Sequence, residues 1–504
     1  MKKNILLIIL GLIWVLGFAP FELWIFPILS LAGFFYLIQE SIFEQKPKKL
    51  IFLQGWLYGV GLFFGGVHWI YISIAEFGKG GPIAGVFVTI FFICVLALYP
   101  AVFALIAQQF ARIRNNPKTV LILALPALWV IVEWLRGWLF TGFPWLLMGN
   151  AFVDMPLSSF APVFGVFALS YIAALFSGVI ACVLLERANW RQNRTILSLG
   201  VLALLFVAVS LLLKRVEWTE KSGEPLKVAM VQGNIKQDIK WDPSFRQYTL
   251  DKYFALTQEL LGKHDVVVWP ETAIPDFLHY VDDYMLSLQA QVNVTGTAIV
   301  TGVPVYDYRN KRYFNSMIAI DRQQLSYYAK RHLVIFGEYL PFRNIFGESL
   351  DFLGAAMADF TSGEERQKPL ITKEHKAAAS ICFEIVFGNE IANELGDADY
   401  MINISNDAWF EGSIAPYQHL QIAQMRALET GRPLVRSTNT GISAMTDHQG
   451  KLLIRSPQYE EYVLTGVIQP RKGQTPYVKW GNIPILVLTL FLIIISLIMS
   501  QKEK

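Results

Sequence analysis

The chain is 504 residues long, with 54% hydrophobic side chains, only 16% charged ones and a formal net charge of +3. Such an apolar composition excludes an ordinary water-soluble globule and implies an integral membrane protein. The small charge is dispersed, with no basic stripe carrying interleaved aromatics, which excludes nucleic acid as a partner.

The apolar residues are unevenly spread. Residues 1–213 carry long apolar runs, 214–479 have the polarity of a globular domain, and 480–504 hold one more apolar run with a basic tail. A spanning helix needs about 20 predominantly apolar residues. That predicts transmembrane helices near 4–19, 23–39, 51–74, 82–108, 119–139, 160–185 and 195–213, and an eighth over 480–500. Lys2 and Lys3 before an apolar core resemble the start of a signal peptide. Pro20 follows Gly17-Phe18-Ala19 directly, however, and a second apolar run comes at once, so the first run reads as an uncleaved helix.

Lys and Arg collect on the cytoplasmic side of short loops. Here alternate loops are basic: Lys2 and Lys3; Lys46, Lys48 and Lys49; Arg112, Arg114 and Lys118; Arg187, Arg191 and Arg194; Lys502 and Lys504. Loops of the other parity hold mainly Lys79 and Arg136. Both termini are then expected in the cytoplasm and 214–479 outside it. Lys214 and Arg215, with Arg471, Lys472 and Lys479, weigh against this, but long translocated domains escape the rule.

The polar segment alternates strands and helices. Strands are predicted at 226–231, 266–269, 298–305, 314–320, 377–382, 400–404, 434–437 with 442–446, and 462–468. Helices are predicted over 243–261 and over 417–430, the latter stopped by Gly431 and Pro433. The pattern is that of an α/β layered domain.

Three candidate reactive groups sit where strands end, a usual place for ligands in open α/β sheets. Glu271 follows Val-Val-Val-Trp-Pro, Lys330 lies in Tyr-Tyr-Ala-Lys-Arg-His-Leu, and Cys382 ends another strand. Cys94 and Cys182 lie in apolar runs, which leaves Cys382 unpaired in a compartment where disulfides form. A thiol needs a base or a cation to become a nucleophile, and an ammonium can also stabilise an oxyanion, so Glu, Lys and Cys together suit acyl transfer. Each alone also fits a plain role: a small core cysteine, a turn-capping glutamate, a solvated lysine. No histidine is adjacent to Cys382 in sequence, which counts against a papain-like Cys-His pair.

Trp-Pro-Glu-Thr at 269–272, a lysine about sixty residues on and Ile-Cys-Phe-Glu about fifty further resemble the nitrilase superfamily. The run 133–145, Glu-Trp-Leu-Arg-Gly-Trp-Leu-Phe-Thr-Gly-Phe-Pro-Trp, is similar to the apolipoprotein N-acyltransferase family of bacterial inner membranes. Gln232-Gly-Asn-Ile with Trp241-Asp-Pro, 332–341, Asn403-Ile-Ser-Asn-Asp-Ala-Trp-Phe410 and 431–441 fit as well. The resemblance implies a multi-pass helical membrane domain (1–213), an extracytoplasmic nitrilase-like α-β-β-α sandwich (214–479) and a C-terminal span with a cytoplasmic tail (480–504).

Carried onto this sequence, it implies Glu271 as base, Lys330 as oxyanion stabiliser and Cys382 as nucleophile. Glu338 and Glu384 would hold Lys330 and shape the site, and Trp241 would handle substrate. The residue after the nucleophile is often Tyr in the family and is Phe383 here, keeping the ring without the hydroxyl. Trp409, beside the nucleophile motif's partner sequence, is a further expected substrate contact. The implied reaction is a ping-pong transfer from the sn-1 position of a phospholipid such as phosphatidylethanolamine, through a Cys thioester, to the α-amine of S-diacylglyceryl-cysteine in an apolipoprotein. No metal and no cofactor are implied, and a single chain is the expected state. Two other readings stay open: a membrane-tethered nitrilase-type amidohydrolase, and a non-catalytic lipoprotein-binding scaffold.

The stretch 342–360, with Phe352, Leu353 and Met357, is too apolar for an exposed loop. It reads either as a lid guiding acyl chains or as core packing. Glu133 and Arg136, close on one helix, read either as a mutual pair or as head-group contacts.

Overall fold

The computed structural model describes residues 1–78, 80–113, 117–185, 194–322, 324–335, 337–339, 360–410 and 412–499. The expected lid residues Phe352, Leu353 and Met357 lie outside the described residues. The chain forms two compact units: Met1–Trp69, Phe87–Glu217 and Trp480–Lys504 make one, Ile70–Val86 and Trp218–Lys479 the other.

In the first unit, helices are built from runs with almost no charge. Five described helical stretches are long and apolar enough to cross a membrane: Ile25–Phe43, Lys48–Val67, Gly81–Ala111, Pro117–Arg136 and Val166–Leu185. Gly200–Leu213 and Ile483–Ile498 are apolar but shorter. The expected span 4–19 is a helix over Lys2–Ile13 followed by a tight turn at Trp14–Gly17, because the chain turns there toward Pro20, which cannot continue a helix. The expected span 51–74 is also broken. Lys48–Val67 ends where the Trp69 indole donates to the Gly66 carbonyl at 2.9 Å, and a separate helix, Ile70–Phe77, follows. That short helix belongs to the second unit, where the Phe77 ring meets Trp409 edge-on at 5.4 Å.

Small residues let the helices touch. A Cβ on Gly11 would lie 2.2 Å from the Tyr58 carbonyl oxygen, and one on Gly61 would lie 2.2 Å from that of Ile8, so Lys2–Ile13 and Lys48–Val67 meet backbone to backbone. Beside them Phe34 stacks on Tyr58 at 4.1 Å, and Trp129 packs against Trp14, Phe34 and Phe103. Glu133 and Arg136 are both buried here, but their hydrogen bonds go to different groups. Glu133 accepts from the Trp129 indole at 3.2 Å and from Met148 N at 2.8 Å, while Arg136 donates to the carbonyls of Phe143 at 2.8 Å and Trp145 at 2.5 Å. The guanidinium thus fastens the loop after its own helix.

The second unit is an α-β-β-α sandwich. Its strands are β1 (Glu220–Lys221), β2 (Leu226–Gln232), β3 (Val266–Val268), β4 (Ala298–Asp307), β5 (Arg312–Ile320), β6 (Leu325–Ala329), β7 (Leu370–Thr372), β8 (His375–Ile381), β9 (Tyr400–Ser405), β10 (Leu434–Thr438), β11 (Ala444–Thr446), β12 (Leu452–Arg455), β13 (Tyr462–Ile468) and β14 (Arg471–Lys472). One sheet runs β13-β2-β3-β4-β5-β6 and the other β12-β11-β10-β9-β8-β7, while β1 and β14 form a small ribbon. Each six-stranded sheet has three parallel strands at its centre, β2-β3-β4 and β8-β9-β10, flanked by antiparallel ones.

Period-two alternation builds the layers. Val228, Met230, Val266, Val268 and Val300 from the first sheet meet Ala377, Ile381, Ile402, Ile404 and Val435 from the second in one core. The alternate residues Ala229, Val231, Val267 and Ile299 face outward onto Leu250 and Tyr253 of the Arg246–Gln258 helix and Met285 and Leu288 of Asp282–Thr295. The Ala415–Thr430 helix ends at Gly431 in the left-handed conformation, as expected from sequence.

Candidate active site

Strands β3, β6, β8 and β9 end at one place, and the expected reactive side chains sit on or just after those ends. The β3 ladder continues through Trp269, whose N–H donates to the Val300 carbonyl at 2.8 Å, and stops at Pro270, which has no N–H to give. Glu271 then turns across Gly302 of β4. A Cβ on Gly302 would sit 2.4 Å from Thr272 N and 2.8 Å from the Glu271 Cα, so only glycine lets the base come this close to the sheet.

The Glu271 carboxylate is held at both oxygens. Asn315 Nδ2 on β5 donates to Oε1 at 2.8 Å, and the main-chain N–H of Asn406, just past β9, donates to Oε2 at 2.9 Å. Lys330 follows β6 and is 1% exposed; its ammonium lies 3.6 Å from Glu271 Oε1 and 2.9 Å from Glu338. Asn315 also donates to Glu338 at 2.9 Å, so one amide bridges the two carboxylates that flank the lysine. Burial works against the Lys330 charge, but Glu338, then Glu271 and Cys382, outweigh it and hold the pKa above the ordinary lysine value. Lys330 is therefore a permanent cation at neutral pH.

Cys382 follows β8 directly, with φ +53, in the left-handed region. For a non-glycine residue that conformation costs about 1–3 kcal/mol and persists only where the surroundings over-determine it. Glu384, two residues on, supplies one constraint. Its carboxylate accepts from Ile381 N at 2.6 Å on the nucleophile's side and from Arg331 N at 2.7 Å and His332 N at 3.0 Å on the lysine's side, with the Tyr328 hydroxyl at 3.1 Å. Glu384 thus ties together the two backbone segments that carry Cys382 and Lys330, whereas Glu338 grips the ammonium directly. Burial pushes the Cys382 thiol up to about 12, the Glu271 carboxylate adds to that, and Lys330 opposes it. Cys382 is accordingly a neutral thiol at rest.

Two comparisons with known proteins bear on this arrangement. The family described as apolipoprotein N-acyltransferase N-terminal domain matches residues 10–179, and carbon-nitrogen hydrolase matches 227–477. The apolipoprotein N-acyltransferase of Methylococcus capsulatus is 38% identical over 96% of this chain and 94% of its own length, and that of Coxiella burnetii is 38% identical over 98% and 99%. The chain belongs to the apolipoprotein N-acyltransferase family. As a member it is an acyltransferase of lipoprotein maturation, a membrane protein with a carbon–nitrogen hydrolase domain and a lipoprotein acceptor. In structure, a carbon–nitrogen hydrolase superfamily protein from Xanthomonas campestris aligns with 49% of this chain and 91% of its own, at 21% identity and a TM-score of 0.37.

Of the other expected N-acyltransferase residues, Phe383 is half-buried, its ring edge-on to Phe387 at 5.1 Å and to His332 at 6.0 Å. Trp409 is half-buried against Phe77, and Trp241 is half-buried at the end of the Gln237–Lys240 turn. Among the described residues, no group of three or more His, Cys, Asp or Glu side chains could hold a metal ion.

Several site residues escaped the sequence reading. Lys240 is 3% exposed and donates to the Glu271 main-chain carbonyl at 3.0 Å; burial pulls its pKa down to about 8, against the pull of Glu271 and Cys382. Its position just before Trp241, in a motif already singled out, was the signal that could have found it. A histidine also reaches Cys382: His419 Nε2 lies 3.2 Å from its carbonyl oxygen, a main-chain contact.

Proposed function

We propose that Cys382, Glu271 and Lys330 perform a two-step acyl transfer in which the acyl chain passes through a thioester. Glu271 takes the thiol proton as Cys382 Sγ attacks the sn-1 ester carbonyl of a phospholipid, and the Lys330 ammonium stabilises the oxyanion of the tetrahedral intermediate. The C–O bond breaks, Glu271 returns the proton to the leaving alkoxide, and a lysophospholipid departs. The neutral α-amine of an S-diacylglyceryl-cysteine then attacks the thioester carbonyl and loses a proton to Glu271. The C–S bond breaks, the thiol is re-formed and the amide product leaves. Glu338 keeps the ammonium in place, Glu384 keeps the two backbone segments in register, and Trp241, Phe383 and Trp409 contact substrate.

The observation that carries this reading is the shared environment of the three groups: a buried ammonium 3.6 Å from the Glu271 carboxylate, both interacting electrostatically with Cys382. We place seven spans in 1–213 and an eighth in 480–504, both termini in the cytoplasm and the catalytic domain, 214–479, on the periplasmic face of the inner membrane. The alternating basic loops support this orientation. The donor is a phospholipid, with phosphatidylethanolamine favoured, and the enzyme works as a single chain.

Intact-mass spectrometry of the purified protein with a defined phospholipid tests the reading. Wild type gains one acyl mass, Cys382→Ala gains none, and a diacylated lipopeptide with a free N-terminus removes the adduct and acquires the chain. Decay of the adduct to free fatty acid with the lipopeptide untouched would instead mark a hydrolase, and full transfer by Cys382→Ala would leave Cys382 without the assigned role.

A further inference from the structure

Behind Cys382, on the side away from Glu384, lies a fully buried polar cluster that the steps above do not use. His419, Asp407, Arg436 and Asn403 are 4%, 2%, 1% and 0% exposed. They come from a helix, from the residues after β9, from β10 and from β9. Arg436 Nη2 lies 2.9 Å from Asp407 Oδ2 and 2.9 Å from His419 Nδ1, and Arg436 Nη1 donates to Asn403 Oδ1. Asp407 Oδ1 accepts from the Ser405 hydroxyl at 2.8 Å and lies 3.2 Å from His419 Nδ1. Toward the nucleophile, His419 Nε2 is 3.2 Å from the Cys382 carbonyl oxygen, and Asn403 Nδ2 is 3.5 Å from the same atom.

A carbonyl oxygen can only accept, so His419 Nε2 must carry the hydrogen. His419 Nδ1 lies between a group that can only donate, the Arg436 guanidinium at 2.9 Å, and one that can only accept, Asp407 Oδ1 at 3.2 Å, so both anchor that edge of the ring. Burial, then the neighbouring Arg436 charge, lowers the imidazole pKa, against the pull of Asp407. Asp407 is held well below the usual carboxylate range: burial opposes this, but Arg436 and His419 outweigh it. The opposite edge of the ring is thereby aimed at the main chain of a residue in the left-handed conformation.

We infer that His419, anchored at Nδ1 by Arg436 and Asp407, is a positioning residue whose Nε2–H clamps the Cys382 carbonyl and so keeps the thiol aimed between Glu271 and the substrate ester. Glu384 binds the N–H before the nucleophile and His419 binds the carbonyl of the nucleophile itself, so the strained residue is gripped on both sides. The inference rests on the reading of Cys382 as the nucleophile.

The experiment compares full-length wild type, His419→Gln, His419→Met and Cys382→Ala, following thioester formation from phospholipid by rapid quench and intact mass from about pH 6 to 9. Glutamine can place an N–H where Nε2 lies; methionine fills the space without a donor. His419→Gln is expected within about threefold of wild type with an unchanged pH profile, and His419→Met about a hundredfold slower. A wild-type rate in His419→Met overturns the clamp. So does a His419→Gln variant as slow as His419→Met that also loses a pH limb present in wild type, since that would make the imidazole a proton carrier. If His419→Met does not fold, the ring protonation decides: nitrogen NMR of wild type labelled at histidine, assigned by the signal lost in His419→Gln, shows a protonated Nε2. A bare Nε2 overturns the inference. An adduct that persists in Cys382→Ala sinks the nucleophile instead, which is a different failure.

Discussion

The two sheets of the second unit share a strand pattern but bring different things to the site. The first sheet contributes Glu271, Asn315 and Lys330, with Glu338 just beyond, a set of buried charges linked at 2.8 to 3.6 Å. The second contributes Cys382, which is uncharged at rest, together with Asn406, with Glu384 bonded to the main chain of Ile381, and with the His419 cluster, bonded within itself by side chains and to the main chain of Cys382. Under the proposed function, one side supplies the electrostatics of acyl transfer and the other its geometry. The lesson is that the nucleophile's side should fail by misplacement, and the charged side by loss of proton transfer and oxyanion stabilisation.

The largest expected effect breaks the charged side. Glu271→Gln keeps the shape but cannot take the thiol proton, so thioester formation should fall by about 10³-fold or more, with lipid binding little changed, as read in single-turnover mass spectrometry. Lys330→Met follows, at about 10²–10³-fold, because an oxyanion stabiliser is lost and two buried carboxylates lose their cation.

Glu384→Gln attacks the geometric side. Four donors converge on this carboxylate. The glutamine amide would aim its own N–H at one of them, costing about 1–3 kcal/mol, so a melting-temperature drop of about 3–10 °C in detergent should accompany a loss of activity. Matched stability with lost activity would contradict a positioning role.

A pH effect on stability alone, without a change in the chemistry, concerns Lys240, at the edge of the charged side. Its folded pKa of about 8 lies below the ordinary lysine value of 10.5, so the folded state gives up its proton first. That contribution to stability is present above pH 10.5 and is lost as pH falls through about 8. The difference amounts to about 3 kcal/mol. Relative to Lys240→Met, wild type should therefore gain thermal stability between about pH 8 and 10.

How far these features were legible in sequence follows the same division. Glu271 and Cys382 each follow an apolar strand inside a short motif, so local pattern exposes them, and Lys330 is exposed by its spacing from the two. Asn406 reaches Glu271 across 135 residues through the stacking of the two sheets, and His419 reaches Cys382 across 37 through the packing of its helix on the second sheet. The Asp282–Thr295 helix did carry a signal: Met285, Leu288 and Val292 at helical spacing, acids in the first turn and Gly296 at the end. Strand β6 hid because three of its five residues are not buried, which blurs the apolar alternation. In the first unit hydropathy marks the apolar runs but not their breaks, since the stop after Val67 depends on an indole folding back onto Gly66.

The most direct test of the account is peptide mapping after incubation with a phospholipid whose sn-1 and sn-2 chains differ in mass. The account predicts the sn-1 chain alone, attached to the peptide containing Cys382 and labile to hydroxylamine. An adduct carried by another residue, or transfer to the lipopeptide with Cys382 never acylated, would contradict it.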